Sequence, residues 1–335
     1  MLVLGIETSC DETAAAVLEG EKSLLSNIIA SQNEIHSRYG GIVPELAGRS
    51  HIERIDGVIK QALDAGNVSI NDIDVIAATQ GPGLIGSLLV GFNTAKAIAY
   101  ATGKPLIGVN HLEGHLLAIF LEETVAFPYL ALTVSGGHTD ICRVNGFCDY
   151  RMLGRTRDDA VGESFDKVAK MLDCGYPGGP IIEKMARNGN AKAHKFPRAM
   201  LEKDSLDFSF SGLKTSVRNL LAKRKSGEGP QLSDEDIAAC FQTAVTDVLV
   251  AKITAACDQE KLRRVVVTGG VASNGYLREK IRAAGAKHKF SVHIPSPVYC
   301  TDNAAMIACA GYYRFKTHPH ARQFMALDAQ ANLAL

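Results

Sequence analysis

Apolar and polar positions first fall into a pattern at the amino terminus. Leu2 to Ile6 is a short apolar run, Glu7 to Thr13 a polar turn, and Ala14 to Leu18 a second apolar run. That pattern predicts strand, turn, strand. It returns at Tyr129 to Val134, Ser135 to Thr139 and Asp140 to Val144. Two such units about 130 residues apart predict two related lobes. Between them, Ile52 to Ala65 has helical period, with Ile52, Ile55, Val58, Ile59 and Leu63 on one face. A strand is predicted at Asp74 to Thr79, a small-residue helix from Gly86 to Ala101, a strand at Pro105 to Val109 and a helix from His111 to Glu122. In the second half, Asp158 to Leu172, Ile181 to Arg187 and Gly275 to Ala284 read as helices and Arg264 to Thr268 as a strand. Ser233 with Asp236 resembles a capping box opening a long helix. Lys223 to Pro230 reads as a mobile loop, and Asp302 as the cap of a last helix, Asn303 to Phe315. Strands alternating with helices make the class α/β.

Composition narrows this picture. At 335 residues the chain has room for two domains, and 46% hydrophobic residues with mean hydropathy +0.03 suffice for a large core. No apolar run reaches the ~18–20 residues of a membrane helix. The first residues lack the basic region of a secretory signal. None of the eight cysteines forms a CxxC pair, so reduced thiols and a cytoplasmic location are expected. The 36 basic and 36 acidic side chains balance, which argues against a generic polyanion binder but leaves room for a local basic patch.

Several constellations carry candidate chemistry. His111 and His115, at i and i+4, share a helix face and can reach one cation; Asp302 is a candidate third ligand. Glu113, at i+2, points away from the pair, so a metalloprotease would lack its general base. Two unrelated surface histidines are the plainer alternative. Gly81-Pro82-Gly83-Leu84-Ile85-Gly86 matches GxGxxG, but no acid follows the next strand, and a tight turn is favoured over a dinucleotide site. Glycine turns at Ser135-Gly136-Gly137, Gly178-Gly179 and Gly269-Gly270 together suggest a nucleotide cradle; there is no P-loop. Asp159, Glu163 and Asp166 form a stripe that either is solvated or lines a cleft. Lys192, Lys195, Arg198, Lys214, Arg218 and Lys223 to Lys225 either meet phosphates or are simply solvated.

Taken together the motifs resemble the bacterial tRNA N6-adenosine threonylcarbamoyltransferase (TsaD) family, formerly called O-sialoglycoprotein endopeptidase. They are GIETSCDET at 5–13, GGIVPELA at 40–47, GPGLIGSLLVG at 81–91, HLEGH at 111–115, VSGGHT at 134–139, GESFDKVAK at 162–170, YPGGP at 176–180, DFSFSGLKT at 207–215, GGVASN at 269–274 and CTDNAAMIA at 300–308. The tail after Thr317 shows no pattern. The resemblance implies an actin-like, sugar-kinase-like (ASKHA) fold of two lobes on ribonuclease-H-like sheets, divided as 1–109 with 304–335 and as 110–303. It implies transfer of a threonylcarbamoyl group from threonylcarbamoyl-AMP to the exocyclic amine of the adenosine 3' to the anticodon, in tRNAs reading codons that start with A. One divalent metal, iron or zinc, is expected on His111, His115 and Asp302. The adenylate is expected on Thr133, Val134, Ser135, Gly136, Gly137, Asp166, Gly179, Glu183 and Asn274. Asp11 and His138 are candidate bases. Implied partners are tRNA, a paralogous actin-fold protein of the TsaB type, a small ATPase of the TsaE type, and an upstream synthase that supplies the adenylate; no membrane is implied. The rivals are a phosphotransferase on the same fold, a metalloprotease and a non-catalytic tRNA scaffold.

Overall fold

The computed structural model describes residues 1–199, 204–318 and 326–335. Its contacts divide the chain into two compact units. The first comprises Met1–Val125, Gly146–Tyr150 and Val298–Leu335; the second comprises Ala126–Asn145 and Arg151–Pro297. The contacts therefore group residues 110–125, 146–150 and 298–303 with the first unit, whereas the expected division put them in the second lobe.

In the first unit the chain runs β1 (Leu2–Glu7), β2 (Glu12–Glu19), β3 (Ser23–Ser31), α1 (Asn33–Ser37), α2 (Pro44–Ala65), β4 (Val75–Gly81), α3 (Ile85–Thr102), β5 (Leu106–Asn110) and α4 (His111–Leu117). It returns at α10 (Pro297–Cys300), which begins at the unit boundary, and α11 (Ala304–Thr317). The sheet order is β3-β2-β1-β4-β5, antiparallel from β1 to β3 and parallel from β1 to β5. Alternation along β1 explains the layers. Leu4 and Ile6 join Ile55, Val58, Ile59, Phe92 and Ala95 of α2 and α3 in one core. Gly5 faces α11, where a Cβ would come within 2.3 Å of the Ala304 carbonyl oxygen, so only glycine lets that helix lie flat on the strand. Ile52, expected on the buried face of α2, is 66% exposed.

The second unit holds β6 (Tyr129–Val134), β7 (Thr139–Gly146), β8 (Asp149–Arg155), α5 (Val161–Met171), α6 (Gly178–Ala186), α7 (Ser211–Ser226), α8 (Asp234–Glu260), β9 (Arg264–Thr268), α9 (Gly275–His288) and β10 (Ser291–His293). Its sheet order, β10-β9-β6-β7-β8, repeats the first, with β6 in the place of β1. Each central strand pairs antiparallel on one side and parallel on the other. This is the duplicated α/β plan that the two hairpins predicted, in the form that the family resemblance implied. α8 is long and apolar enough to cross a membrane, but it is mostly buried within this unit as a core helix.

Two local expectations change. Lys223 to Ser226 continue α7, which ends at the left-handed Gly227, φ 76°; the composition of that stretch resembled a loop because Lys223 and Lys225 face outward on the exposed side of the helix. Asp302 does not cap α11. Asn303 does, accepting a hydrogen bond from the Met306 amide, and this leaves the Asp302 carboxylate available to other groups.

Candidate metal centre and nucleotide-facing turns

β5 ends at Asn110, whose Oδ1 accepts the Leu112 amide and starts α4 at once. His111 is thus the first residue of the helix, and His115 lies one turn on with its ring centroid 4.8 Å away. Both imidazoles are buried, and both Nε2 atoms converge on one oxygen of Asp302. Oδ1 is 3.1 Å from His115 Nε2 and 3.5 Å from His111 Nε2. Donors about 2.1 Å from one cation at tetrahedral or octahedral angles sit roughly 3.0–3.4 Å apart; the two imidazole–carboxylate separations are close to this and all three donor atoms lie within 4.8 Å of one another, so a small side-chain adjustment would let them share a divalent ion. Two imidazoles and a carboxylate suit iron(II) or zinc and leave coordination positions open.

The far side of His111 is also built. Its Nδ1 lies 2.9 Å from Glu7 Oε2 and 3.1 Å from Ser9 Oγ. Glu7 is fully buried at the end of β1, where Thr79 Oγ1 donates to Oε2 at 2.6 Å and the Ser9 amide donates to Oε1. With Nδ1 turned to Glu7, Nε2 is the nitrogen that faces Asp302, and once its proton is lost it can take a cation. Burial opposes charge on His111, but the Asp302 and Glu7 carboxylates outweigh it and lift the ring well above the usual imidazole value. Burial likewise opposes charge on Glu7 and Asp302; the His111 ring nevertheless holds Glu7 below the ordinary carboxylate value and, with His115, Asp302 well below it. An imidazolium between two carboxylates is the arrangement in which a cation replaces a proton. The sequence reading missed Glu7, Ser9 and Thr79, since a carboxylate ending a strand gives no hint of a histidine 104 positions away.

Glu113 is fully buried on the other side of α4, accepting from the Tyr150 hydroxyl at 2.8 Å and from Arg314 Nε. It is a structural anion and offers no base to the metal centre, so the protease reading is not favoured. Asp11, in the β1–β2 turn, is held above its ordinary value by burial and by the Asp302 charge.

In the second unit, the turn after β6 is closed by the Ser135 amide on the His138 carbonyl, 2.8 Å, and by the His138 amide on Ser135 Oγ, 3.0 Å. The glycines in these turns have two different jobs. A Cβ at Gly269 would meet the Val134 carbonyl at 2.4 Å and one at Gly178 the Asp166 Cα at 2.6 Å, so these two are needed for close packing. At Gly136, Gly137, Gly179 and Gly270 a Cβ would meet nothing within 4 Å. Backbone there is open to a ligand.

A family model described as TsaD, tRNA N6-adenosine threonylcarbamoyltransferase, matches residues 23–309. The tRNA N6-adenosine threonylcarbamoyltransferase of Thermodesulfovibrio yellowstonii is 56% identical over 319 residues, 94% of this chain and 95% of that one. The Clostridioides difficile protein of the same name is 51% identical over 340 residues, covering 100% and 98%. The chain belongs to this family. Among solved structures, HypF of T. kodakarensis superposes with TM-score 0.66 at 14% identity, over 94% of this chain and 48% of that one, which shows the shared fold.

The family's expected adenylate residues occupy distinct structural roles. Thr133 and Val134 are buried in β6, paired with β7 on one side and, at Thr133, with β9 on the other. Asp166 Oδ1 accepts the Gly178 amide at 2.7 Å, at the start of α6. Asn274 caps α9 through the Leu277 amide and donates to Gln242 Oε1 at 2.8 Å. Glu183 accepts the Gly275 amide and Arg187, each at 3.1 Å. These last contacts bring α6, α8 and α9 around a cavity of about 270 Å³ lined by Glu183, Arg187, Gln242, Thr243 and Tyr276. The acidic residues do not form one helical stripe, since Asp159 precedes α5, which begins at Val161. Asp159 pairs with Lys167 and Lys214, and Glu163 with Lys167. Of the basic cluster, Arg198 is paired with Asp247 and Arg224 with Asp234, each at 2.7 Å.

Proposed function

We propose that this chain makes threonylcarbamoyladenosine in tRNA, moving the threonylcarbamoyl group of threonylcarbamoyl-AMP to the exocyclic amine of the adenosine 3' to the anticodon, in tRNAs reading codons that start with A. The observation that carries the reading is the buried His111–His115–Asp302 group, with its Glu7 support, in a member of this transferase family. His111, His115 and Asp302 would hold one iron or zinc ion, which when bound supplies positive charge for a carboxylate ligand. The donor is a mixed anhydride and already activated, so the protein must orient it and stabilise charge. The open backbone at Gly136 and Gly137, in the turn that Ser135 closes next to Thr133 and Val134, would face the adenylate phosphate. Asp166, Gly179, Glu183 and Asn274 would shape the nucleoside side. As the amine nitrogen bonds to the carbamoyl carbon, the carbon–oxygen bond to AMP breaks and the amine gives up a proton, for which Asp11 and His138 are the candidate acceptors.

We assign as partners a TsaB-type actin-fold paralogue and a TsaE-type small ATPase, with a separate synthase making the adenylate, all in the cytoplasm. The test is reconstitution with threonylcarbamoyl-AMP, substrate tRNA and those partners, followed by nucleoside analysis. Threonylcarbamoyladenosine in the digest is the expected result. Its absence, with the partners and adenylate shown competent by a characterised family member, overturns the reading.

A further inference from the structure

The carboxy-terminal tail gave no sequence pattern, and residues 319–325 lie outside the described residues. Residues 326–335, however, make a set of hydrogen bonds within the first unit. Lys96 Nζ donates to the Leu327 carbonyl at 2.7 Å and Gln80 Nε2 to the Asp328 carbonyl at 2.9 Å. The Gln330 amide donates to the Gln80 carbonyl at 2.8 Å, and the Gly83 amide to the Ala331 carbonyl at 3.1 Å. Asn110 Nδ2 then donates to the carbonyls of Leu333 and Ala334, at 3.2 and 3.1 Å. Leu327 and Ala329 pack against the core between the sheet and α2–α3. At Gly81, φ 158°, a Cβ would lie 1.9 Å from the Gln330 carbonyl oxygen, so the β4 end is shaped to receive the tail.

Asn110 is the residue that matters here. Its Oδ1 caps α4 through the Leu112 amide, and its Nδ2 is held by the tail. The next residue is His111. One side chain thus joins the tail to the first turn of the helix that bears both histidines.

We propose that residues 327–334 form a positioning strap for the metal centre: by holding the Asn110 amide group they fix the first turn of α4, so that the histidines point at Asp302 before a cation arrives. The strap opposes Glu7. Glu7 fixes the rotation of the His111 ring from behind, and the strap fixes the backbone from which that ring projects. The proposal rests on the metal reading given above.

Two variants test it, a stop after Leu327 and Asn110→Ser. Serine keeps the cap on the Leu112 amide but cannot reach the tail. Each protein is stripped of metal with a chelator and titrated with Co2+, following both the affinity and the visible absorption of the bound ion. Loss of a supporting contact around metal ligands typically lowers affinity 10–100-fold. We expect a loss of about that size for the truncated chain and a smaller one, about three- to tenfold, for Asn110→Ser. The Co2+ spectrum should be altered in both, while AMP binding stays at the parent value. Parent affinity together with a parent spectrum in Asn110→Ser overturns the proposal, whether or not the truncated chain folds. A parent protein that takes up no Co2+ overturns instead the metal reading beneath it.

Discussion

The metal centre of the first unit and the glycine turns of the second use similar polar residues for opposite purposes. Glu7, His111, His115 and Asp302 bond to one another through side chains, with His115 Nδ1 left without a hydrogen-bond partner, and these side chains are what a ligand would meet. Asp166 and Asn274 each hold a helix N-terminus and Glu183 the first amide of α9, so that open backbone at Gly136, Gly137 and Gly179 is what a ligand would meet. One site is made of side chains and the other of main chain supported by side chains. Deleting a side chain should therefore damage the first site directly, whereas the second should suffer most from an added one.

The largest expected effect is at the metal. His115→Ala or Asp302→Ala should abolish stoichiometric metal, read by elemental analysis of purified protein, while AMP affinity measured by calorimetry stays unchanged. Metal content equal to the parent in both variants would break the comparison at its root. Next comes Glu7→Gln. The amide is isosteric but its oxygen accepts more weakly than a carboxylate, so the His111 tautomer is less firmly fixed, and metal affinity should fall about 10–100-fold with the fold intact. An unchanged affinity would mean that Ser9 alone orients the ring.

On the other side, Gly137→Val should weaken AMP binding about tenfold or more. Thermal stability should barely change, because a Cβ there touches nothing in the protein. A stability loss with normal binding would show that the turn serves packing after all. A contrast in stability rather than binding comes from the buried carboxylates. Asp140 in β7 is 7% exposed, and burial pushes its carboxyl up to about 6, with only partial relief from Arg155. The folded state then binds the proton more tightly than the unfolded chain. Stability falls as pH rises from about 4 to 6 and stays reduced above that. Asp140→Asn should thus leave stability near pH 4 unchanged and raise it at pH 8 by up to about 3 kcal/mol. A gain that is equal at both pH values would remove titration as the cause. Glu7 and Asp302, buried beside imidazoles, are shifted the other way, which is the same comparison expressed as charge.

Much of the fold was legible because its central strands are continuously apolar, buried and bounded by polar turns. β3 and β8 were not anticipated; they flank their sheets, are largely half-exposed, and lack the continuous burial that marks β1 and β6. The histidine pair was legible from its i,i+4 spacing, and Asp302 from its place at a helix start, though the cap itself is Asn303. The support for the pair was not. Glu7 reaches His111 only through the pairing of β1 with β4 and of β4 with β5. The tail is recognised mainly through its own carbonyl oxygens, which every residue type presents alike, so no side-chain pattern marks it.

Gly5 has a consequence for the dimensions of the metal centre. It lies two residues before Glu7 on β1 and touches Ala304, two residues after Asp302. The two walls of the centre therefore grow from neighbouring points of one contact. Ordinary van der Waals separation is 3.4 Å or more, against 2.3 Å for a Cβ at this position, so a single methyl group would drive the start of α11 outward by about 1 Å. Metal–ligand distances tolerate about 0.2 Å. A residue without a side chain thus sets how closely the start of α11, next to Asp302, can approach the strand that carries Glu7.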